Sequence, residues 1–291
     1  MAAGGDQRNV AWRGPGGAGP LLLIGGAEDR FRGREILSRF VQLAGAGQGH
    51  VVVIATASTL GEPAGAMYRD LFAGLGAGRV SMLRPLTREE AEDEAHAETL
   101  AAATGVFLTG GVQMRLTTTI GGTRLGRSLQ LAHDRGAAVA GTSAGASALA
   151  SHMIAFGRSG DTPKHRMVHL TAGLGLLPDA VVDQHFEQRT RYGRLLTAVA
   201  QSPSLVGIGL DEDTAAIVYS DRTMEVLGRG AVTVVDGSRI ATDAPEAKAH
   251  RPVLVSGAVV HALPAGYWFD LRARRFLGRT GPPAREREAS E

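Results

Sequence analysis

The stretch Ala137-Ala-Val-Ala-Gly141-Thr-Ser143-Ala-Gly145-Ala-Ser147 reads as a short apolar strand, a sharp turn and a small-residue helix. Its centre, Gly141-Thr142-Ser143-Ala144-Gly145, has the G-x-S-x-G spelling of a nucleophile elbow. A serine at the tip of so tight a turn sits in strained backbone. Glycines two before and two after it remove side chains that would clash. The serine then points into a cleft at the start of the next helix. Free N–H groups and partial positive charge there suit a developing oxyanion. With 40 glycines in 291 residues, the pattern alone arises easily by chance. Its place between a buried strand and a helix gives it meaning.

Apolar runs at residues 21–24, 51–54, 79–83 and 106–108 precede the elbow. They alternate with helical spacing at about 33–44, 62–75, 88–103 and 124–135. Continuous apolar strands alternating with helices predict a mainly parallel sheet covered on both faces, an α/β three-layer sandwich. Such sheets bind ligands beyond the C-terminal ends of their strands. That rule gathers Gly25-Gly26, Thr56-Ala57-Ser58, residues 110–113, Ser143 and Asp183-Gln184-His185 around one expected cleft. After Ala150 the pattern loosens. Residues 157–172 read as a loop, 180–182 as a short strand, 188–201 as a helix and 205–210 as a strand. The remainder is β-rich, with turns such as Asp236-Gly237 between antiparallel strands. The expected organisation is a disordered lead at 1–20, one α/β hydrolytic domain with a β-rich C-terminal part at 21–272, and a flexible tail at 273–291.

Composition narrows the chemistry. There is no cysteine, so disulfides, a thiol nucleophile and thiolate metal sites are excluded. Of 31 basic residues only Lys164 and Lys248 are lysines, and 29 acids nearly balance them. That balance argues against nucleic-acid binding. No apolar run approaches the length of a membrane span and no leader pattern is seen, so a cytoplasmic protein is expected. Gly25-Gly26-Ala27-Glu28-Asp29 lacks the order of a dinucleotide loop, and no metal-ligand spacing occurs, so neither cofactor nor metal is expected.

A serine nucleophile needs a base, and His185, at the end of a buried strand, is the best placed of nine histidines. His152, His165 and His169 are weaker candidates. The base needs an acid to orient it. Asp161 and Glu212 both qualify, Glu212 by its place just after a strand. Oxyanion donors are expected at the N–H groups of Ala144 and Gly111. Arg189, Arg191 and Arg194 open the helix after His185 and could grip carboxylates, with Asp183 and Gln184 as acceptors for cationic or amide groups.

Together, Leu108-Thr-Gly-Gly-Val-Gln113, Gly141-Thr-Ser143-Ala-Gly-Ala-Ser147, Asp183-Gln-His185-Phe, Arg189-x-Arg191-x-Gly193-Arg194-Leu and Gly207-Ile-Gly-Leu-Asp-Glu212-Asp-Thr-Ala resemble the cyanophycinases. Leu263-Pro-Ala-Gly-Tyr-Trp-Phe-Asp270 adds to the likeness, which spans roughly residues 20–272. The wider group includes aspartyl dipeptidases and is related in fold to class I glutamine amidotransferase-like domains. The resemblance implies a serine exopeptidase, commonly a homodimer, that needs no cofactor. Its substrate would be cyanophycin, a poly-aspartate main chain with arginine on each side-chain carboxyl, and its product β-Asp-Arg. The alternative is an aspartyl or isoaspartyl dipeptidase acting on small peptides. Ser143 matches the nucleophile and His185 the base. Gln113, Asp183, Gln184, Arg189, Arg191 and Arg194 match substrate-pocket positions. Glu212 matches a characteristic family glutamate, and Asp161 a charge-relay acid of the wider group. Val112 departs from the family, which usually has Asp or Asn there.

Overall fold

The computed structural model describes residues 17–282. The first half winds as the alternating pattern predicts. In chain order it runs β1 (Leu21–Ile24), α1 (Glu35–Leu43), β2 (His50–Ile54), α2 (Glu62–Gly74), β3 (Arg79–Leu83) and α3 (Glu94–Ala101). Then come β4 (Gly105–Leu108), α4 (Gln113–Ile120), α5 (Arg124–Asp134), β5 (Ala138–Thr142) and the six-residue α6 (Ala144–Leu149). Strands β1, β5, β4, β2 and β3 lie side by side in that order, each pair parallel. The period of two divides β1 cleanly. Leu22 and Ile24 pack with α1 and α2 on one face, and Leu21 and Leu23 join the core on the other. Phe40, Tyr68, Phe72 and Phe107 pack, mostly tilted or edge-on, at ring separations of 4.7–6.0 Å on the first of these faces.

The second half departs from the expected single sheet. It begins β6 (Ala150–Gly157), β7 (Val168–Ala172), β8 (Leu177–Gln184), α7 (Tyr192–Gln201), β9 (Val206–Leu210) and β10 (Thr214–Val218). It continues β11 (Thr223–Gly228), β12 (Ala231–Asp236), the short pair β13 (Ala241–Thr242) and β14 (Val255–Ser256), β15 (Val259–Pro264), β16 (Trp268–Asp270) and β17 (Arg275–Gly278). A second sheet forms in the order β15-β12-β9-β8-β6-β7, with β6, β8 and β9 parallel. Strands β10, β11, β16 and β17 extend the first sheet antiparallel from β1. The elbow is the reason for two sheets. A parallel return to the same sheet takes a crossover of roughly a dozen residues, and only residues 143–149 separate β5 from β6. The chain therefore starts a new layer. The α/β class and the β-rich C-terminal part hold, but His185 leaves the second sheet, not the layer that carries Ser143.

The resulting stack is α1 and α2, the first sheet, a layer of α4, α5 and α6, the second sheet, and α7. The largest core cluster joins both sheets to the helices between them, for example Leu108, Leu116, Leu129, Ala146, Val182 and Ile208. Ile154, Val181, Leu195 and Val199 seal α7 onto the outer face. Four expectations need correction. The expected loop at 157–172 is shorter: residues 158–167 connect β6 to β7, and residues 168–172 form β7, an edge strand whose polar positions masked its periodicity. The helix expected from 188 begins at Tyr192. The expected tail at 273 begins with β17 paired to β16, while residues 283–291 lie outside the described residues. Likewise, of the expected lead, residues 17–20 are described and Gly19 and Pro20 are buried, and residues 1–16 lie outside.

Candidate active site

Ser143 sits between β5 and α6 with φ 51° and ψ −111°, a backbone region that L-residues seldom occupy. The surroundings enforce it. The Ser143 N–H donates to Ile24 O at 2.9 Å, fixing the elbow to β1. A methyl group on Gly141 would come 2.4 Å from the Gly145 carbonyl carbon, and one on Gly145 would come 2.4 Å from Leu108 O. The two glycines of G-x-S-x-G are thus required by close backbone approach, as the sequence implied. Gly110 packs beside the serine, its missing methyl group only 3.4 Å from Ser143 Cβ. The N–H groups of Gly111 and Ala144 have no acceptor among the described residues.

Ser143, His185 and Glu212 form one line. Ser143 Oγ lies 2.9 Å from His185 Nε2, and His185 Nδ1 lies 2.6 Å from Glu212 Oε1. A carboxylate can only accept, so Nδ1 carries the proton and Nε2 presents its lone pair to the serine hydroxyl. Burial is the largest influence on His185 and holds its pKa below the ordinary value; Glu212 pushes it up again, and the Arg189 charge lowers it. The imidazole is therefore a neutral base at pH 7. Glu212 is held in turn by Gln188, whose Oε1 accepts its backbone N–H at 2.9 Å. Asp161, the competing acid, is exposed and makes no hydrogen bond or ion pair with His185.

Comparison with known proteins now bears on this geometry. The family model "Peptidase family S51" matches residues 21–227. The chain belongs to peptidase family S51. It is a serine-type peptidase. It is 42% identical to "Cyanophycinase" of Trichormus variabilis over 88% of this chain and 87% of that one. With "Cyanophycinase" of Synechococcus elongatus it shares 39% identity, over 89% and 81% of the two chains. A crystal structure of a peptidase from an acI-B1 Actinobacterium superposes with a TM-score of 0.64 at 21% identity, covering 88% of this chain and 98% of that one, which supports the fold.

The other expected residues of this S51 peptidase divide into two groups. Gln184 stays beside Ser143, and Gln113, the first residue of α4, is tied to β6. Gln184 Oε1 is 3.5 Å from Ser143 Oγ, and Gln113 Nε2 donates to Ile154 O at 3.0 Å. Asp183, Arg191 and Arg194 form a buried ion cluster behind them. Arg194 grips Asp183 with two bonds of 2.5 Å, the bidentate geometry of a guanidinium on a carboxylate. Arg191 Nη1 bonds Asp183 at 3.2 Å and Gln184 Oε1 at 2.9 Å, and also reaches the Gln184 carbonyl. Burial lowers the Arg191 pKa to about 10, so it stays charged. Arg189 alone of the three arginines is exposed beside His185.

Two supports of the site escaped the sequence reading. Glu28, 4% exposed, accepts from Tyr68 Oη and from Thr142 Oγ1, both at 2.5 Å. It thereby pins the residue directly before Ser143. Burial, with Glu28 beside it, pushes Tyr68 well above the ordinary phenol value, so its proton remains for donation. Gly26, φ 97°, lies against the His185 ring: a methyl group there would come 2.4 Å from Cε1. The signal for both was the short segment Gly25-Gly26-Ala27-Glu28 at a strand end. An acid that follows a buried strand into a cleft needs partners. Among the described residues no group of three or more His, Cys, Asp or Glu could hold a metal, and no helix is long and apolar enough to cross a membrane.

Proposed function

We propose that this S51 peptidase is a cyanophycinase, an exopeptidase that releases β-Asp-Arg from cyanophycin through an acyl-enzyme on Ser143. The observation that carries the reading is the unbroken line from Ser143 Oγ through His185 to Glu212 Oε1 in a chain 42% identical to a cyanophycinase. Ser143 Oγ attacks the scissile main-chain carbonyl carbon while His185 Nε2 takes its proton. Glu212 stabilises the imidazolium through Nδ1–H. The N–H groups of Ala144 and Gly111 donate to the carbonyl oxygen and stabilise the negative charge that develops on it. His185 then gives its proton to the leaving amine. A water, activated by the same Nε2, hydrolyses the ester and restores the serine. Asp161 has no part in this relay. Exposed Arg189 faces the carboxylates of the substrate, whereas Asp183, Arg191 and Arg194 hold Gln184 in place.

Incubation of the purified protein with cyanophycin, followed by mass spectrometry, reads the product directly. Release of β-Asp-Arg is expected. Cleavage of β-aspartyl dipeptides with the polymer left intact would overturn the substrate assignment. Ser143→Ala is expected to lower kcat by about 10⁶-fold, as nucleophile loss does in serine proteases. A fluorophosphonate should label the native chain and not the variant.

A further inference from the structure

Two residues past Gly111, Gln113 ties the start of α4 to the second sheet. Gln113 Nε2 reaches the carbonyls of Ile154 and Ala155, at 3.0 and 3.4 Å, and the next residue is Phe156. Phe156 is 66% exposed, the only large aromatic among the described residues this open besides Phe31. Its ring stacks on His169 across β6 and β7, with centroids 4.9 Å apart and planes 20° from parallel. Val168 and Leu170, on either side of His169, pack toward α7. Strand alternation therefore turns His169, and the ring stacked on it, to the opposite face. That face carries α4, α6 and Ser143.

A cavity of about 640 Å³ opens at the outer end of β6 and β7, lined by Phe156, Arg158, His165, Arg166 and His169 and, on the α7 side, by Val168 and Gln201. No carboxylate lines it. Arg158 and Arg166 are exposed, and neither side chain has a hydrogen bond or ion pair among the described residues. His165 Nδ1 is buried without a partner. This contrasts with Arg191 and Arg194, whose charge Asp183 answers inside the protein. A cationic, acid-free hollow with an open aromatic face fits a ligand that brings its own carboxylates and a flat or extended side chain to lay on the ring.

We infer that the Phe156–Arg158–Arg166 cavity is a second recognition site for the polymer, holding a unit beyond those at the cut bond. The inference rests on the proposed function. Each unit of cyanophycin carries a free carboxylate on its arginyl group, which Arg158 and Arg166 bind. The guanidinium and its methylene stem lie on the Phe156 ring. Contacts made equally in the ground and transition states lower KM and leave kcat unchanged.

The test compares two substrates: a long soluble cyanophycin oligomer and the shortest oligomer that is cleaved. The ratio of their kcat/KM values is measured for the native chain and for Phe156→Ala combined with Arg158→Ala. Both positions are exposed, and a thermal melt checks the fold. The ratio is expected to fall about tenfold in favour of the short oligomer, mostly through KM, as loss of one exposed cation–π contact and one ion pair implies. Phe156→Tyr with Arg158→Lys is expected to recover much of it. Poly-aspartate, which has the carboxylates without arginine, is expected to inhibit the native chain more strongly than the double alanine variant. An unchanged ratio, with both oligomers still cleaved, overturns the second site and leaves the function standing. If the native chain cleaves neither oligomer, the function reading fails and this inference with it.

Discussion

Asp183 and His185 stand two residues apart at the end of β8, yet they do opposite work. Asp183 is completely buried, and both its oxygens are taken by arginines. His185 turns into the cleft with φ 48° and meets Ser143 on one side and Glu212 on the other. The two charge networks use similar residue types. What separates them is solvent access and the completeness of pairing. The Asp183 cluster has a fixed complement inside the protein and rigidifies Gln184. The His185 line ends on a partly exposed carboxylate and leaves one lone pair for chemistry. A buried ion pair is weak evidence for net stability, but breaking one leaves an uncompensated charge. Residues of the same sequence motif can therefore be structural or chemical according to which side of one strand end they occupy.

The sharpest way to break this comparison is at its two acids. Glu212→Ala is expected to lower kcat by about 10⁴-fold, as loss of an orienting carboxylate does in other serine hydrolases, with little change in the thermal midpoint. Asp161→Ala is expected to leave turnover at the native level. Equal losses in the two variants, measured by steady-state kinetics on folded protein, would dissolve the assignment of Glu212. Asp183→Ala should behave in the reverse sense. It strands two buried guanidinium groups, so denaturant titration is expected to show a loss of about 3–5 kcal/mol. Intact stability with a large rise in KM would instead move Asp183 among the substrate contacts.

Val112 gives a smaller effect. It sits at the N-cap of α4 and offers no side-chain acceptor to the first helical N–H groups. Val112→Asn is expected to stabilise the fold by about 1 kcal/mol in the same titration. The departure from the usual Asp or Asn thus reads as a lost helix cap. The smallest effect concerns pH. With a pKa held below the ordinary value of about 6.5, His185 stays neutral into mild acid, so kcat/KM should begin to fall only below that value. The unfolded chain takes up this proton first, so acidification from about 6.5 down to the folded-state value also lowers stability. Arg189→Ala removes a charge that disfavours the imidazolium. The acid limb of kcat/KM is then expected to move to higher pH.

Much of the fold was legible because its signals are local. Buried parallel strands announce themselves as unbroken apolar runs such as residues 51–54, and the elbow by the spacing of Gly141, Ser143 and Gly145. The edge strand β7 was not, because exposed His169 and half-buried Thr171 break the apolar run that marks a buried strand. The separation into two sheets was hidden for a different reason. It depends on a connection too short to return, a matter of reach between elements and not of residue type. At the site, Ser143 and His185 were legible from their strand ends. Glu28 was passed over because its partners, Tyr68 and Thr142, lie 40 and 114 residues away.

The sequence by itself determined the α/β class, the elbow that presents Ser143 with His185 as its candidate base, and the absence of thiol chemistry, since each follows from residue identity and short-range spacing. Only the tertiary structure decided that Glu212 and not Asp161 meets His185, and that Arg191 and Arg194 close on Asp183 while Arg189 stays free. The physical reason is that pairing is a three-dimensional competition. A carboxylate's role is set by which donors reach it within about 3 Å and by how much water remains beside it, and neither quantity is written in the order of the residues.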